Sequence, residues 1–209
     1  MADTVSRAPK PTAQRPFARV LKPGRHGNAE GPAGVFAAPR DGVAVIAVIA
    51  RRGQFAALTE KFRSRWGLAL PPGPHRVEAG EVSVVSIAPG RWLFLQETAD
   101  PTALAATLAT ELAGLASIVD LSDARCILQL WGPRLRAVLA KGLPIDIHPE
   151  RFGPNDAAAS MIALIDVQLW QLDDRPCFEL AVPRSYAGSL AGWLIASAGE
   201  FGLEAVDSQ

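Results

Sequence analysis

The chain is short of the side chains that carry acid–base, nucleophilic and metal chemistry. It has three histidines, two cysteines and one tyrosine in 209 residues. His26 lies in a Gly- and Pro-rich leader, His75 follows a run of prolines, and His148 precedes Pro149. None stands at a metal-ligand spacing such as His-x3-His or beside a cysteine, so neither a zinc site nor a Cys–His pair is expected. Cys126 and Cys177 fall inside the apolar runs CILQLW and CFELAV and read as small core residues. Gly24, Gly27, Gly31 and Gly34 lie in the leader rather than between a strand and a helix, which excludes a dinucleotide fingerprint or a phosphate loop. There is no Gly-x-Ser-x-Gly elbow.

Two further absences narrow the class. The longest purely apolar run, Val43 to Ala50, is a strand's length and far short of the ~20 residues a membrane helix needs. No secretory segment follows Met1, so a cytoplasmic protein is expected. Formal net charge is zero, which argues against nucleic acid or an anionic membrane as the main partner. The balance is uneven, however. Arg7, Lys10, Arg15, Arg19, Lys22, Arg25 and Arg40 face only Asp3 and Glu30 in the first forty residues, so the body is net acidic. A basic arm on an acidic body suits a solvated segment or one that docks on a partner.

What is present is a folding pattern. At 49% hydrophobic content the chain can bury a core without disulfide or metal. Residues 1–34 hold five of the seventeen prolines and read as a flexible basic leader. Residues 35–204 read as one compact domain and 205–209 as a short tail. VAVIAVIA (43–50) is β-branched and lacks helical spacing, so it predicts a buried strand. Phe55, Leu58, Phe62 and Trp66 share one helical face that Gly67 closes. EVSVVSIAPGRWLFLQ predicts two strands around Pro89-Gly90. Asp100-Pro101 is an N-cap acid with proline at the first helical position, and Leu104, Leu108, Leu112 and Leu115 stripe the helix that follows.

Strands are expected at Ile118–Leu121 and Cys126–Trp131, then a short helix from Pro133 carrying Leu135, Val138 and Leu139. Ile162–Leu172 predicts a hairpin turning near Asp166. Cys177–Val182 is a strand, and Pro183 introduces a last helix striped by Leu190, Trp193, Leu194 and Phe201. Strand–helix–strand units with paired strands between them make an α+β pattern with a suggestion of duplication.

Few residues compete for a functional role. Trp66, Trp92, Trp131, Trp170 and Trp193 would suit a stacking platform, but each falls on an apolar helix face or in a strand and reads as core or subunit interface. Arg51 and Arg52 end a strand and read as solvated. Asp120 and Asp123 suit a turn. Asp173, Asp174 and Arg175 read as a loop cluster, and Ser185 as a helix cap. No catalytic, cofactor-binding or metal-ligating residue is assigned from the sequence.

Several collinear blocks carry a resemblance. GRHG (24–27), ARRG (50–53), APGRWLFL (88–95), VDLSDARCILQLWGPRLRAVLAKGLPIDIHP (119–149) and LWQLDDRPCFELAVPRSYAGSLAGWL (169–194) resemble the gamma subunit of heterotetrameric sarcosine oxidase. That family is similar in turn to the folate-binding domain of glycine-cleavage aminomethyltransferases. The shared features are the Asp120-x-Ser-Asp123 turn, the Leu128-Gln-Leu-Trp-Gly-Pro133 joint and the Phe178-Glu-Leu-Ala-Val-Pro183 strand.

The resemblance implies a duplicated, ferredoxin-like α+β domain. It also implies a non-catalytic subunit of a complex that demethylates sarcosine to glycine, with hydrogen peroxide and methylenetetrahydrofolate formed. Alpha, beta and delta subunits would be its partners, and FAD, FMN, NAD, tetrahydrofolate and zinc would belong to them. Folate-using relatives hold the pterin with the acid of a Gly-Glu-x-Gly segment, and Arg175 stands at that place here. The Lys-Gly-Cys-Tyr-x-Gly-Gln motif of related iron–sulfur assembly proteins is reduced to Lys141-Gly142. Alternatives are a gamma-type subunit of another N-methyl amino acid dehydrogenase, or a stand-alone folate-binding, one-carbon transfer protein.

Overall fold

The computed structural model describes residues 15–207. Two sheets pack face to face with helices on both outer faces, giving four layers in the order helix, sheet, sheet, helix.

The first half is one continuous stretch. β3 (Val43–Ala50) leads into α1 (Phe55–Trp66), then β4 (Arg76–Ala79), β5 (Val82–Ala88), β6 (Arg91–Glu97), α2 (Pro101–Glu111) and β7 (Ala116–Asp120). These strands lie in the order β4-β5-β6-β3-β7, all antiparallel. The second half runs from β8 (Arg125–Trp131) through α3 (Leu135–Leu139), β9 (Ala157–Ile162), β10 (Ile165–Asp173), β11 (Cys177–Pro183) and α4 (Ala187–Ala198) to β12 (Leu203–Ala205).

Its sheet, which also takes in β1 (Gly24–His26) and β2 (Val35–Arg40), has the order β1-β12-β2-β8-β11-β10-β9. Removing β1 and β2 leaves the connectivity of the first half repeated, β12 matching β7 and β9 matching β4. The duplicated α+β fold is therefore present, with two N-terminal strands added to one copy. One of them, β2, is inserted between β12 and β8, pairing parallel with the first and antiparallel with the second.

Side-chain alternation explains the layering. Along β3, Ala44, Ile46 and Val48 meet Leu58 and Phe62 of α1 and Leu108 of α2. Val45, on the other face, joins Val85, Leu93 and Leu95 against Ile127, Trp170 and Ala181 of the larger sheet. The outer face of the larger sheet, through Leu128, Leu130, Val167, Leu169, Phe178 and Leu180, packs on Leu135, Val138, Leu190 and Leu194.

Helix ends follow their chemistry. Asp100 Oδ1 accepts from the Ala103 amide at 2.9 Å. Gly67 adopts φ 69° and returns its N–H to Arg63 at 3.0 Å, closing α1 as its lack of a Cβ permits.

Three expectations need correction. The leader expected over residues 1–34 is structured from residue 15 onward. Phe17 and Leu21 are buried in the layer around α4, each side chain gaining about 1.5–3 kcal/mol by leaving water, and β1 pairs with β12. An apolar anchor spaced by four residues inside a proline-rich, basic stretch hid that packing; residues 1–14 lie outside the described part. The tail expected from residue 205 begins later, since Ala205 ends β12 and is buried. The hairpin expected to turn near Asp166 turns at Ala163 and Leu164, both at positive φ (49° and 69°), and Asp166 is a strand residue opposite Met161. No Gly, Asn or Pro marks that turn, so nothing in the local sequence announced it.

Candidate functional site

The charged residues that the fold buries gather between the two sheets. Glu179, on the inward face of β11, is 5% exposed. Arg40, at the end of β2, donates to its Oε1 at 2.6 Å, and the Trp170 indole N–H donates to its Oε2 at 2.9 Å. Arg40 also reaches Glu97 on β6 at 2.9 Å, so one guanidinium ties the larger sheet to the smaller. Burial pushes the Glu179 carboxyl above the usual carboxylate range, and the attraction of Arg40 and the Trp170 hydrogen bond only partly oppose it.

Arg76 on β4 is likewise buried. It donates to Ser83 Oγ at 2.9 Å, to Asn155 Oδ1 at 3.1 Å and to Glu78. Arg40, Arg76, Glu78, Ser83, Glu97 and Glu179 line a cavity of about 430 Å3 between the sheets, together with Glu81 and Gln96. A second cavity of about 570 Å3 lies over Phe36, Gln129, Trp131, Cys177 and Arg175.

This arrangement pairs buried charge and ties the two layers together. Every buried acid or base in the first cavity is engaged by a fixed partner. Cys126 is pushed up to about 12, chiefly by burial, so its thiol stays protonated. Burial also raises Cys177. Among the described residues no group of three or more His, Cys, Asp or Glu side chains is placed to hold a metal.

The residues weighed from the sequence are scattered. His75 Nδ1 lies 3.5 Å from Asp156, beside the first cavity's Arg76 strand, while His148 pairs loosely with Glu150 at 3.9 Å. His26 Nε2 donates to the Lys22 carbonyl at 2.7 Å. Asp120 Oδ1 accepts from the Ser122 amide at 2.9 Å, a turn contact. Trp92 and Trp170 are wholly buried, and Trp66, Trp131 and Trp193 are half-buried. Arg51 and Arg52 are exposed, and Ser185 sits in a single 3-10 turn without capping α4.

Arg175 is 90% exposed and donates to Asp173 at 2.8 Å. A guanidinium offers donors only, so Arg175 itself does not supply the carboxylate that a pterin edge needs. The cluster of buried Arg76 and Glu179 with half-buried Arg40 escaped sequence reasoning. Its one signal was a glutamate at an inward position of the otherwise apolar run CFELAV.

Comparison with known proteins agrees with this architecture. Residues 51–200 match the sarcosine oxidase gamma subunit family. The sarcosine oxidase subunit gamma of Corynebacterium sp. (strain P-1) is 36% identical over 160 residues, covering 74% of each chain. That of Corynebacterium sp. (strain U-96) is 34% identical over 140 residues, covering 65% of this chain and 66% of the relative.

Among solved structures, a chain of the heterotetrameric sarcosine oxidase from Corynebacterium sp. U-96, in complex with pyrrole 2-carboxylate, superposes with a TM-score of 0.74. It is 28% identical, and the match covers 90% of this chain and 96% of that one. The glycine cleavage system aminomethyltransferase T from Bartonella henselae shares the fold, with a TM-score of 0.61 at 19% identity over 83% of this chain and 48% of that one. On the family match and the identity with its characterised members, this chain belongs to the sarcosine oxidase gamma subunit family.

Proposed function

We propose that this chain is the structural gamma subunit of a heterotetrameric sarcosine oxidase, with alpha, beta and delta subunits as its partners. The observation that carries the reading is the end-to-end likeness to a chain of such a heterotetramer, 96% of which is covered. The site's chemistry agrees: buried Glu179 is held by Arg40 and buried Arg76 by Glu78, and burial raises both thiols. The chain contributes surface and rigidity. Sarcosine oxidation, and any FAD, FMN, NAD, tetrahydrofolate or zinc it requires, would reside in the other subunits. A permanent interface of this kind typically buries ~2,000 Å2 or more.

The test is affinity purification of the full chain from its source grown on sarcosine. Three companion chains, flavin absorbance and sarcosine-dependent peroxide formation are expected in the eluate. A colourless single band would refute the subunit reading.

A further inference from the structure

The two cavities are parts of one step in the molecular surface. Glu179 lines the first and Gln129 the second, and these two are register partners on the neighbouring strands β11 and β8. The floor of the step is the inward face of the larger sheet. There the smaller sheet covers Ile127 and Ala181, but two and four residues beyond Ile127 along β8, Gln129 and Trp131 line an open cavity. Trp131 and its register partner Phe36 stack with 5.6 Å between ring centroids and 9° between planes, and both remain half-buried. The riser is the end of the smaller sheet, formed by Glu78 and Glu81 at the β4–β5 turn and Glu97 at the end of β6.

Charge along this step is not balanced. Each of its arginines is already engaged: Arg40 by both Glu179 and Glu97, Arg76 by Glu78, and Arg175 by Asp173. Five carboxylates line the step against three guanidinium groups, and Glu81 is exposed. A ring pair with an accessible face beside surplus carboxylate suits one side chain above others. A planar guanidinium stacks on aromatic faces and donates in a fork to carboxylates. Uncovered Trp beside charged rim residues is also the usual make-up of an interface hot spot.

We propose that this step is a docking surface for an arginine-bearing segment of another subunit, with one guanidinium over Trp131 and another directed to Glu81 and Glu97. The proposal rests on the gamma-subunit reading.

The experiment co-expresses the full chain with the other subunits and follows incorporation and dissociation at several salt concentrations. Glu81→Lys should weaken incorporation by about tenfold or more at low salt, with the loss shrinking as salt screens the added charge. Trp131→Ala should speed dissociation about tenfold at every salt concentration. Glu60→Lys, on the exposed side of α1, should leave both unchanged. Because removing the Trp131 ring also removes packing, each variant's thermal unfolding is recorded, and Glu81→Lys decides the matter if Trp131→Ala unfolds. Wild-type incorporation by Glu81→Lys at low salt overturns the docking proposal and leaves the subunit reading intact. Failure of the wild-type chain to incorporate overturns both, and is seen before any variant is made. A Glu81→Lys shift in the free chain's thermal unfolding that vanishes on deleting residues 1–14 would assign the step to this chain's own Arg7 and Lys10, against the proposal.

Discussion

In the first half of the molecule, α1 spans twelve residues and lays Leu58 and Phe62 on a layer with no charged member. In the second half the corresponding α3 lasts five residues, and the chain then wanders through residues 140–156 before β9 begins. An arginine takes over where the helix is missing. Arg136 donates to the carbonyls of Ile147 and Phe152, the latter at 3.2 Å, and to Gln171 Oε1 at 2.8 Å, while its guanidinium lies 5.2 Å from the Phe178 ring. One copy of the repeat thus satisfies its backbone by helix formation, the other by a side chain that bridges loop and sheet. Of the five buried polar side chains, Gln168, Gln171 and Glu179 belong to that second copy, and Arg76 and Ser86 to the first. Duplication kept the topology and let one copy exchange regularity for polar detail.

Four substitutions press on this contrast. The largest effect belongs to the apolar half. Phe62→Ala removes a fully buried ring and should cost about 3–5 kcal/mol, measured by denaturant unfolding. Arg136→Met should cost on the order of 3 kcal/mol, because two loop carbonyls and Gln171 lose their donor. Hydrogen exchange should rise in residues 140–156 and stay unchanged in the first half. Equal exchange in both halves would mean that Arg136 is incidental to the loop. Asp100→Ala removes the cap of α2 and should cost about 1 kcal/mol, with the loss confined to the first half.

Glu179→Gln gives the smallest and most diagnostic effect. Burial raises this carboxyl in the folded chain, so the fold holds its proton more tightly than the unfolded chain does. That contribution is complete at low pH and is lost as pH rises through the folded-state value. Glutamine does not titrate. The melting temperature of the variant relative to wild type should therefore become more favourable as pH rises above the ordinary glutamate range at about 4. A difference that stays flat or falls would show that Arg40 outweighs burial.

Legibility in the sequence followed the same divide. The first half announced itself: VAVIAVIA, the Gly67 stop, the Pro89-Gly90 turn and the Asp100-Pro101 start all mark real boundaries of β3, α1, β5–β6 and α2. The second half was readable where it is regular, at β8, α3, β11 and α4, and silent where it is not. β9 is AAASMI, without strong β-formers, and its turn uses alanine and leucine. β1, β2 and β12 are held by partners far along the chain, and a pattern read locally cannot report them. The site was the least legible part. Arg40, Arg76 and Glu179 lie far apart in sequence, and only the stacking of two sheets brings them together.

The insertion of β2 between β8 and β12 also sets a timetable. Residues 43–120 contain every strand of the smaller sheet, so that unit can close as soon as it leaves the ribosome. β2 is made earlier but finds its second neighbour only when residues 203–205 have emerged. Throughout synthesis its unpaired edge stays open to other chains. For a protein meant to be built into a larger assembly, the slow, late-closing sheet is the one whose inner face stays partly bare when folding ends.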